Sequence, residues 1–270
     1  MRRFMIQLGG LILSSAALVG PAAASETSET LYIALGDSLA WGDGASVPER
    51  TGYVPRFSTY LRGEPRGDAD TLVNLAVRGA TTSNLLATQL PAALALIAEP
   101  ATDASVITLS IGGNDLLDLI NDPSDPCLAD VASPTCQQLL FLALNGVATN
   151  MPVILGSLQA ALADDPGTET LLVLLPYNAF SGTGHPLEAV IAQVMRGPDL
   201  AFDCAVNPAT YGLDDILGCT ALATGSLVVD AYPLFEGRTL ELTHMGEGFN
   251  VHPNDDGYAV IAKAHRRAVD

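Results

Sequence analysis

Five short apolar runs recur along the chain, and they constrain its fold more than any other feature. They are Leu31 to Leu35, Thr71 to Ala76, Val106 to Ile111, Thr170 to Leu175 and Leu227 to Asp230. Each has the length of a strand, and Leu31 to Leu35 reads as a buried one. Between them apolar residues recur at helical spacing over Val54 to Leu61, Asn84 to Ala98 and Gln137 to about Ala163, and a final helix runs to about Ala268. Strands alternating with helices predict an α/β fold, with a five-stranded parallel sheet and helices on both of its faces. Ligands of such sheets bind in the crevice beyond the carboxyl ends of the strands. The residues that follow each run are therefore the ones to examine for chemistry.

Four of these positions carry pointed side chains or small residues. Gly36-Asp37-Ser38 follows the first run, and Val77-Arg-Gly-Ala-Thr-Thr82 the second. Gly112-Gly-Asn-Asp115 follows the third, and His252-Pro-Asn254 precedes the last helix. Taken singly each has a plain structural reading. Serine after Gly-Asp commonly caps a helix, Gly79 suits a turn, and Asn114 suits a helix start. Ser83 and Asn254 are expected N-caps, with Asp255 and Asp256 favourable in the first turn, and Pro91 is expected to kink its helix.

The first 24 residues read as a leader rather than as fold. Arg2 and Arg3 precede an apolar run from Phe4 to Val19, and Pro21-Ala-Ala-Ala24 offers a cleavage site before Ser25. A retained membrane anchor is the competing reading, but the run is short and contains Gln7 and two serines. No further stretch is expected to cross a membrane. Residues 25–270 suit a single large α/β domain. Removing residues 1–24, which hold two arginines and no acids, takes the formal charge from −18 to −20, and Lys263 is the one lysine in the sequence. Such an acidic chain argues against nucleic acid or an anionic membrane as partner. Four cysteines fit an oxidising compartment, paired by sequence neighbourhood as Cys127–Cys136 and Cys204–Cys219, one of three connectivities. These would staple two irregular insertions, near 121–136 and 177–220, the second carrying one helix from Leu187 to Met195. A zinc site is disfavoured because no C-x-x-C occurs and no histidine lies near either pair. There is no Walker loop, no G-x-G-x-x-G and no H-E-x-x-H.

In their order and spacing the four segments resemble the blocks of the GDSL (SGNH) hydrolases: Gly36-Asp-Ser-Leu39, Gly79 after Asn74, Gly112-Gly-Asn-Asp115 and His252-Pro-Asn254. The resemblance rests on about twenty signature residues and spans Leu31 to the C-terminus. It implies a three-layer flavodoxin-like fold and a secreted, cofactor-free, metal-free esterase or lipase, working as a monomer on a small-molecule or lipid ester. It further implies Ser38 as nucleophile and His252 as its base. The oxyanion donors would be the backbone N–H groups of Ser38 and Gly79 and the side-chain amide of Asn114.

One departure stands out. The family pattern places an Asp three residues before the histidine, where this chain has Phe249. The base needs an acceptor on its second nitrogen. Asn250 is no carboxylate, so the expected acceptor is the backbone carbonyl of Phe249, leaving a Ser–His dyad, with Glu247 folding back as the alternative. A polysaccharide O-deacetylase or a phospholipid hydrolase would use the same machinery with another pocket. An inactive secreted binding module is the reading from another class, supported by Phe249 alone. The insertions would border the acyl pocket and set its selectivity.

Overall fold

The computed structural model describes residues 28–63, 66–120, 124–163, 169–248 and 250–270. The leader and its expected cleavage site lie outside them. The five runs form β1 (Glu29–Gly36), β2 (Thr71–Asn74), β3 (Thr102–Ser110), β4 (Thr170–Leu175) and β5 (Leu227–Asp230). They make one sheet in the order β2-β1-β3-β4-β5, every pair parallel. β1 lies between β2 and β3, with Ala34 opposite both Asn74 and Thr108 and Gly36 opposite Ser110. Its carboxyl end thus opens where the strand order reverses, the crevice in which ligands of such sheets bind.

The pleat sends alternate side chains of β1 to opposite faces. Leu31, Ile33 and Leu35 join one core cluster, while Tyr32 and Ala34 join the other. The first layer is covered by helices α3 (Leu90–Ile97), α5 (Pro134–Leu162) and α7 (Leu213–Ala223). The second is covered by α2 (Tyr53–Arg62) and α8 (Asp255–Val269). Tyr53, Val54, Phe57 and Leu61 form the buried stripe of α2, and Tyr258, Ile261, Ala262 and His265 that of α8. The Tyr53 ring stacks on His265 with centroids 4.7 Å apart. Three short helices complete the labels: α1 (Ser38–Trp41), α4 (Gly113–Leu117) and α6 (Glu188–Arg196).

Four features depart from the sequence reading, the first being that Thr81, not Ser83, caps the turn after β2 by accepting the Asn84 N–H. α5 is 29 residues long, and an 18-residue window of it reaches a mean hydropathy of 1.7, enough by length and composition to cross a membrane. Here its second half packs into the core through Val147, Met151, Ile154, Leu155 and Leu158, while Phe141 and Leu142 stay exposed near its start. The insertion after β4 holds a second helix, α7, whose capping interactions centre on Asp215. Glycines at 212 and 218 and the disulfide-bonded Cys219 obscure its helical spacing in the sequence. Ahead of Pro91 the chain makes a π turn, Leu85–Gln89, before α3. Proline lacks an N–H and crowds the carbonyl four residues back, so the turn widens. That widening sets Gln89 against the end of β1.

The structure pairs Cys127 with Cys136 and Cys204 with Cys219. The second insertion is also pinned to the sheet by buried Arg196, which meets Asp214 at 2.8 Å and Asp230 at 2.5 Å.

Candidate active site

β1 ends at Gly36, which has φ +144°, and a Cβ there would fall 2.1 Å from the Ser110 carbonyl oxygen. Only glycine lets β1 approach β3 so closely at the point where the chain turns. The next residue, Asp37, caps α1: its Oδ1 accepts the N–H of Leu39 at 3.0 Å. Ser38 is therefore the first residue of α1, just beyond the sheet. Gln89 supports this corner from below. Its Oε1 accepts the Gly36 N–H at 2.8 Å and its Nε2 donates to the Gly36 carbonyl at 2.8 Å. β2 leaves the sheet after Asn74, and the Gln89 amide supplies the acceptor that a longer β2 would give Gly36.

The other groups arrive from three directions. Gly79, with φ +71°, lies in the turn after β2, whose Ala80 N–H donates to the Val77 carbonyl at 3.1 Å. Asn114, in α4 beyond β3, donates from Nδ2 to the Ala80 carbonyl at 3.0 Å. This bond ties the second and third segments together. Asp115 reinforces it by accepting from the N–H and hydroxyl of Thr82 at 2.9 and 2.7 Å.

His252 precedes α8 in a loop fixed on both sides. Residues Thr243 and Pro253 form an antiparallel bridge, the His244 N–H donates to the His252 carbonyl at 3.0 Å, and the Tyr177 hydroxyl donates to the Val251 carbonyl at 2.6 Å. Asn254 caps α8 by accepting from the N–H groups of Asp256 and Gly257. The result places His252 Nε2 2.8 Å from Ser38 Oγ across 214 residues of sequence.

The second ring nitrogen corrects an expectation. His252 Nδ1 lies 2.7 Å from Asn250 Oδ1. The backbone N–H of His252 also donates to that atom, at 3.1 Å. An atom receiving a backbone N–H is an acceptor, so it is the amide oxygen, and Nδ1 must carry the ring proton. Nε2 is then left with its lone pair toward Ser38. Glu247, the alternative partner in the sequence reading, instead meets His244 Nδ1 at 2.9 Å. Phe249 falls outside the described residues. The side chain of Asn250, set aside as uncharged, holds the ring.

Electrostatics fit a neutral ring. Burial pushes the His252 pKa below its usual 6.5, opposed by the charge of Asp43 and aided by Arg78 and His244. His244 has acceptors on both nitrogens, Gly44 O at 2.8 Å and Glu247 Oε2 at 2.9 Å, which raise its pKa. Burial raises Asp37 to about 7. His265 is structural: its Nδ1 donates to the Ile261 carbonyl at 2.9 Å inside the core. His185 accepts the N–H of Leu187 in the second insertion.

Ser38, Asn114 and His252 open onto one deep cavity. Its walls are almost wholly apolar: Leu117 and Ile120 after β3, Leu140 from α5, and Val190, Ile191 and Val194 from α6. The Cys127–Cys136 disulfide also lines it. Gln89 and Asp43 have no signal in the sequence, because their contacts cross long stretches of chain, and Asn250 is passed over there as uncharged.

Residues 34–260 match the model of a family described as the GDSL-like Lipase/Acylhydrolase family. Among solved structures, the lipase Lip_vut3 from goat rumen metagenome is 24% identical, with 88% of this chain and 97% of that one covered at a TM-score of 0.58. The acetylxylan esterase Axe2 from Geobacillus stearothermophilus is 16% identical, with 91% and 96% covered at a TM-score of 0.59. LAE5, an alpha/beta hydrolase enzyme from the metagenome of Lake Arreo in Spain, is 19% identical, with 91% and 97% covered at a TM-score of 0.56. At these identities the likeness is one of fold. No curated protein sequence matches the chain.

Proposed function

The chain belongs to the GDSL-like lipase/acylhydrolase family and is an ester-hydrolysing enzyme, and we propose that it cleaves small-molecule carboxylic esters through an acyl-enzyme on Ser38, with His252 as base. The observation that carries this reading is the 2.8 Å contact between His252 Nε2 and Ser38 Oγ at the mouth of an apolar cavity.

His252, neutral and protonated on Nδ1, accepts the Ser38 proton as Oγ bonds to the ester carbonyl carbon. The carbonyl oxygen becomes an oxyanion, stabilised by the N–H of Ser38 at the start of α1, the N–H of Gly79 and the amide of Asn114. As the tetrahedral intermediate collapses, the ring returns the proton to the leaving alcohol and the acyl group stays on Ser38. Water, deprotonated by the same ring, then attacks the acyl carbon, and as the bond to Ser38 Oγ breaks the ring returns the proton to Oγ and the acid leaves. Asn250 keeps the ring in the productive tautomer throughout.

The cavity walls support an aliphatic acyl group. Burying each methylene is worth about 0.8 kcal/mol, so kcat/KM should rise about fourfold per added carbon until the cavity is filled. Export as a single catalytic domain, after cleavage between Ala24 and Ser25, is part of the same proposal, supported by the leader composition and the two disulfides. The test is hydrolysis of p-nitrophenyl esters from acetate to long acyl chains. A rise with chain length supports the reading, activity confined to acetate points to a deacetylase, and no activity on any ester overturns it.

A further inference from the structure

A serine hydrolase of this kind forms an imidazolium in each half-reaction, and a carboxylate on Nδ1 commonly stabilises that charge. Here Nδ1 meets the uncharged Asn250, so the compensating charge must come from elsewhere. Among the described residues one carboxylate stands in salt-bridge range of the ring. Asp43 Oδ2 is 4.0 Å from His252 Nε2.

Asp43 is held as a fixed part of the site. Its N–H donates to the Ser38 carbonyl at 2.9 Å, and its own carbonyl accepts from the Tyr258 hydroxyl at 2.5 Å. It is thereby tied both to the turn bearing the serine and to the helix after the histidine. Its Oδ1 is ion-paired with Arg78. The Arg78 guanidinium lies 3.7 Å from the centroid of the Trp41 ring, and Arg78 is the residue before Gly79. At 4.0 Å the carboxylate is beyond hydrogen-bond range of Nε2, yet close enough to favour a charged ring.

We propose that Asp43 is a positioning residue that acts through His252, as the carboxylate that stabilises the imidazolium, set beside Nε2 and braced by Arg78. The proposal rests on the reading of Ser38 and His252 as nucleophile and base. When Oγ bonds to the acyl carbon and its proton reaches Nε2, the new N–H cation faces Asp43. The negative charge of Asp43 would oppose the developing oxyanion, and its ion pair with Arg78 offsets that charge.

The charged groups that act on the ring are Asp43, Arg78 and His244, while its two hydrogen-bond partners, Ser38 and Asn250, are neutral. The signs differ: Asp43 raises the His252 pKa, and Arg78 lowers it. The experiment is an NMR titration of the His252 ring in wild type, Asp43→Asn and Arg78→Gln, read beside the pH dependence of kcat and KM. Buried His265 reports in the same spectra whether each variant is folded. Asp43→Asn should lower the His252 pKa by about one unit and kcat about tenfold, with KM little changed. Arg78→Gln should move the pKa upward. An unchanged pKa in Asp43→Asn, or shifts of the same sign in both variants, overturns the proposal. The titration reads the coupling without turnover. Absence of ester hydrolysis in the wild type would therefore refute the functional reading, while a missing coupling would refute the role of Asp43.

Discussion

Replacing Asn250 separates a ring held by an uncharged amide from one that needs no holding. Asn250 Oδ1 accepts two hydrogen bonds, from His252 Nδ1 at 2.7 Å and from its backbone N–H at 3.1 Å. Each neutral bond is worth about 1 kcal/mol net, so Asn250→Ala removes about 2 kcal/mol of orientation. That corresponds to a fall in kcat of about thirtyfold, smaller than the loss when a buried carboxylate partner is removed. Asn250→Asp keeps the shape and adds the charge. Charge-assisted bonds are about twice as strong as neutral ones, and an anion in hydrogen-bond contact raises the histidine pKa by about one unit or more. The base must be neutral, so activity is lost as pH falls through this pKa. In wild type that loss should centre below 6.5, because the His252 pKa is lowered, and in Asn250→Asp it should move to higher pH with kcat kept or raised. The assay is ester hydrolysis from pH 4 to 9, with saturation curves at each pH. An Asn250→Ala enzyme with unchanged kcat would refute the assignment of Asn250 as the orienting acceptor. An Asn250→Asp enzyme as impaired as the alanine variant would refute it too.

Other outcomes follow from the same structure. Ile191→Trp adds bulk to the cavity wall and should lower kcat/KM for long acyl esters at least tenfold while sparing acetate, checked on the chain-length series. His265 bears on stability: burial pushes its pKa from 6.5 down to about 4, so in mild acid the unfolded chain takes up a proton that the folded one does not. Its contribution is intact above pH 6.5 and is lost on acidification toward 4, by about 2–3 kcal/mol at pH 4.5. Denaturant unfolding at pH 7 and 4.5 should show the stability of wild type falling relative to His265→Gln by that amount, because raised carboxylates such as Asp37 contribute equally to both proteins.

The parts of the fold that were legible are those with local causes. β4 and β5 coincide with their apolar runs: β4 is buried from Leu171 to Leu175 and is continuously apolar, while β5, at the sheet edge, is buried at Val229. β3 begins four residues before its run, at Thr102, because polar Thr102 and Asp103 pair with Glu29 and Thr30 at the sheet margin. Ser38, Asn114 and His252 were legible because each sits beside a strand end or a helix start. The partner of His252 was not. The sequence pointed to the Phe249 backbone carbonyl, with the Glu247 carboxylate as the alternative, whereas a short loop turns the Asn250 amide so that one oxygen serves both the ring and the backbone of His252. Gln89 and Asp43 were hidden for another reason: their contacts with Gly36 and His252 cross 53 residues and 209 positions of chain, and no spacing rule encodes them.

The most direct test of the account is to trap the nucleophile. Wild-type protein would be inactivated with a p-nitrophenyl alkylphosphonate, which mimics the tetrahedral intermediate, and the modified peptide located by mass spectrometry. One phosphonyl group per chain is expected, on Ser38, accumulating in step with loss of ester hydrolysis. Inactivation with the adduct on another residue, or hydrolysis that persists when Ser38 is blocked, would contradict it.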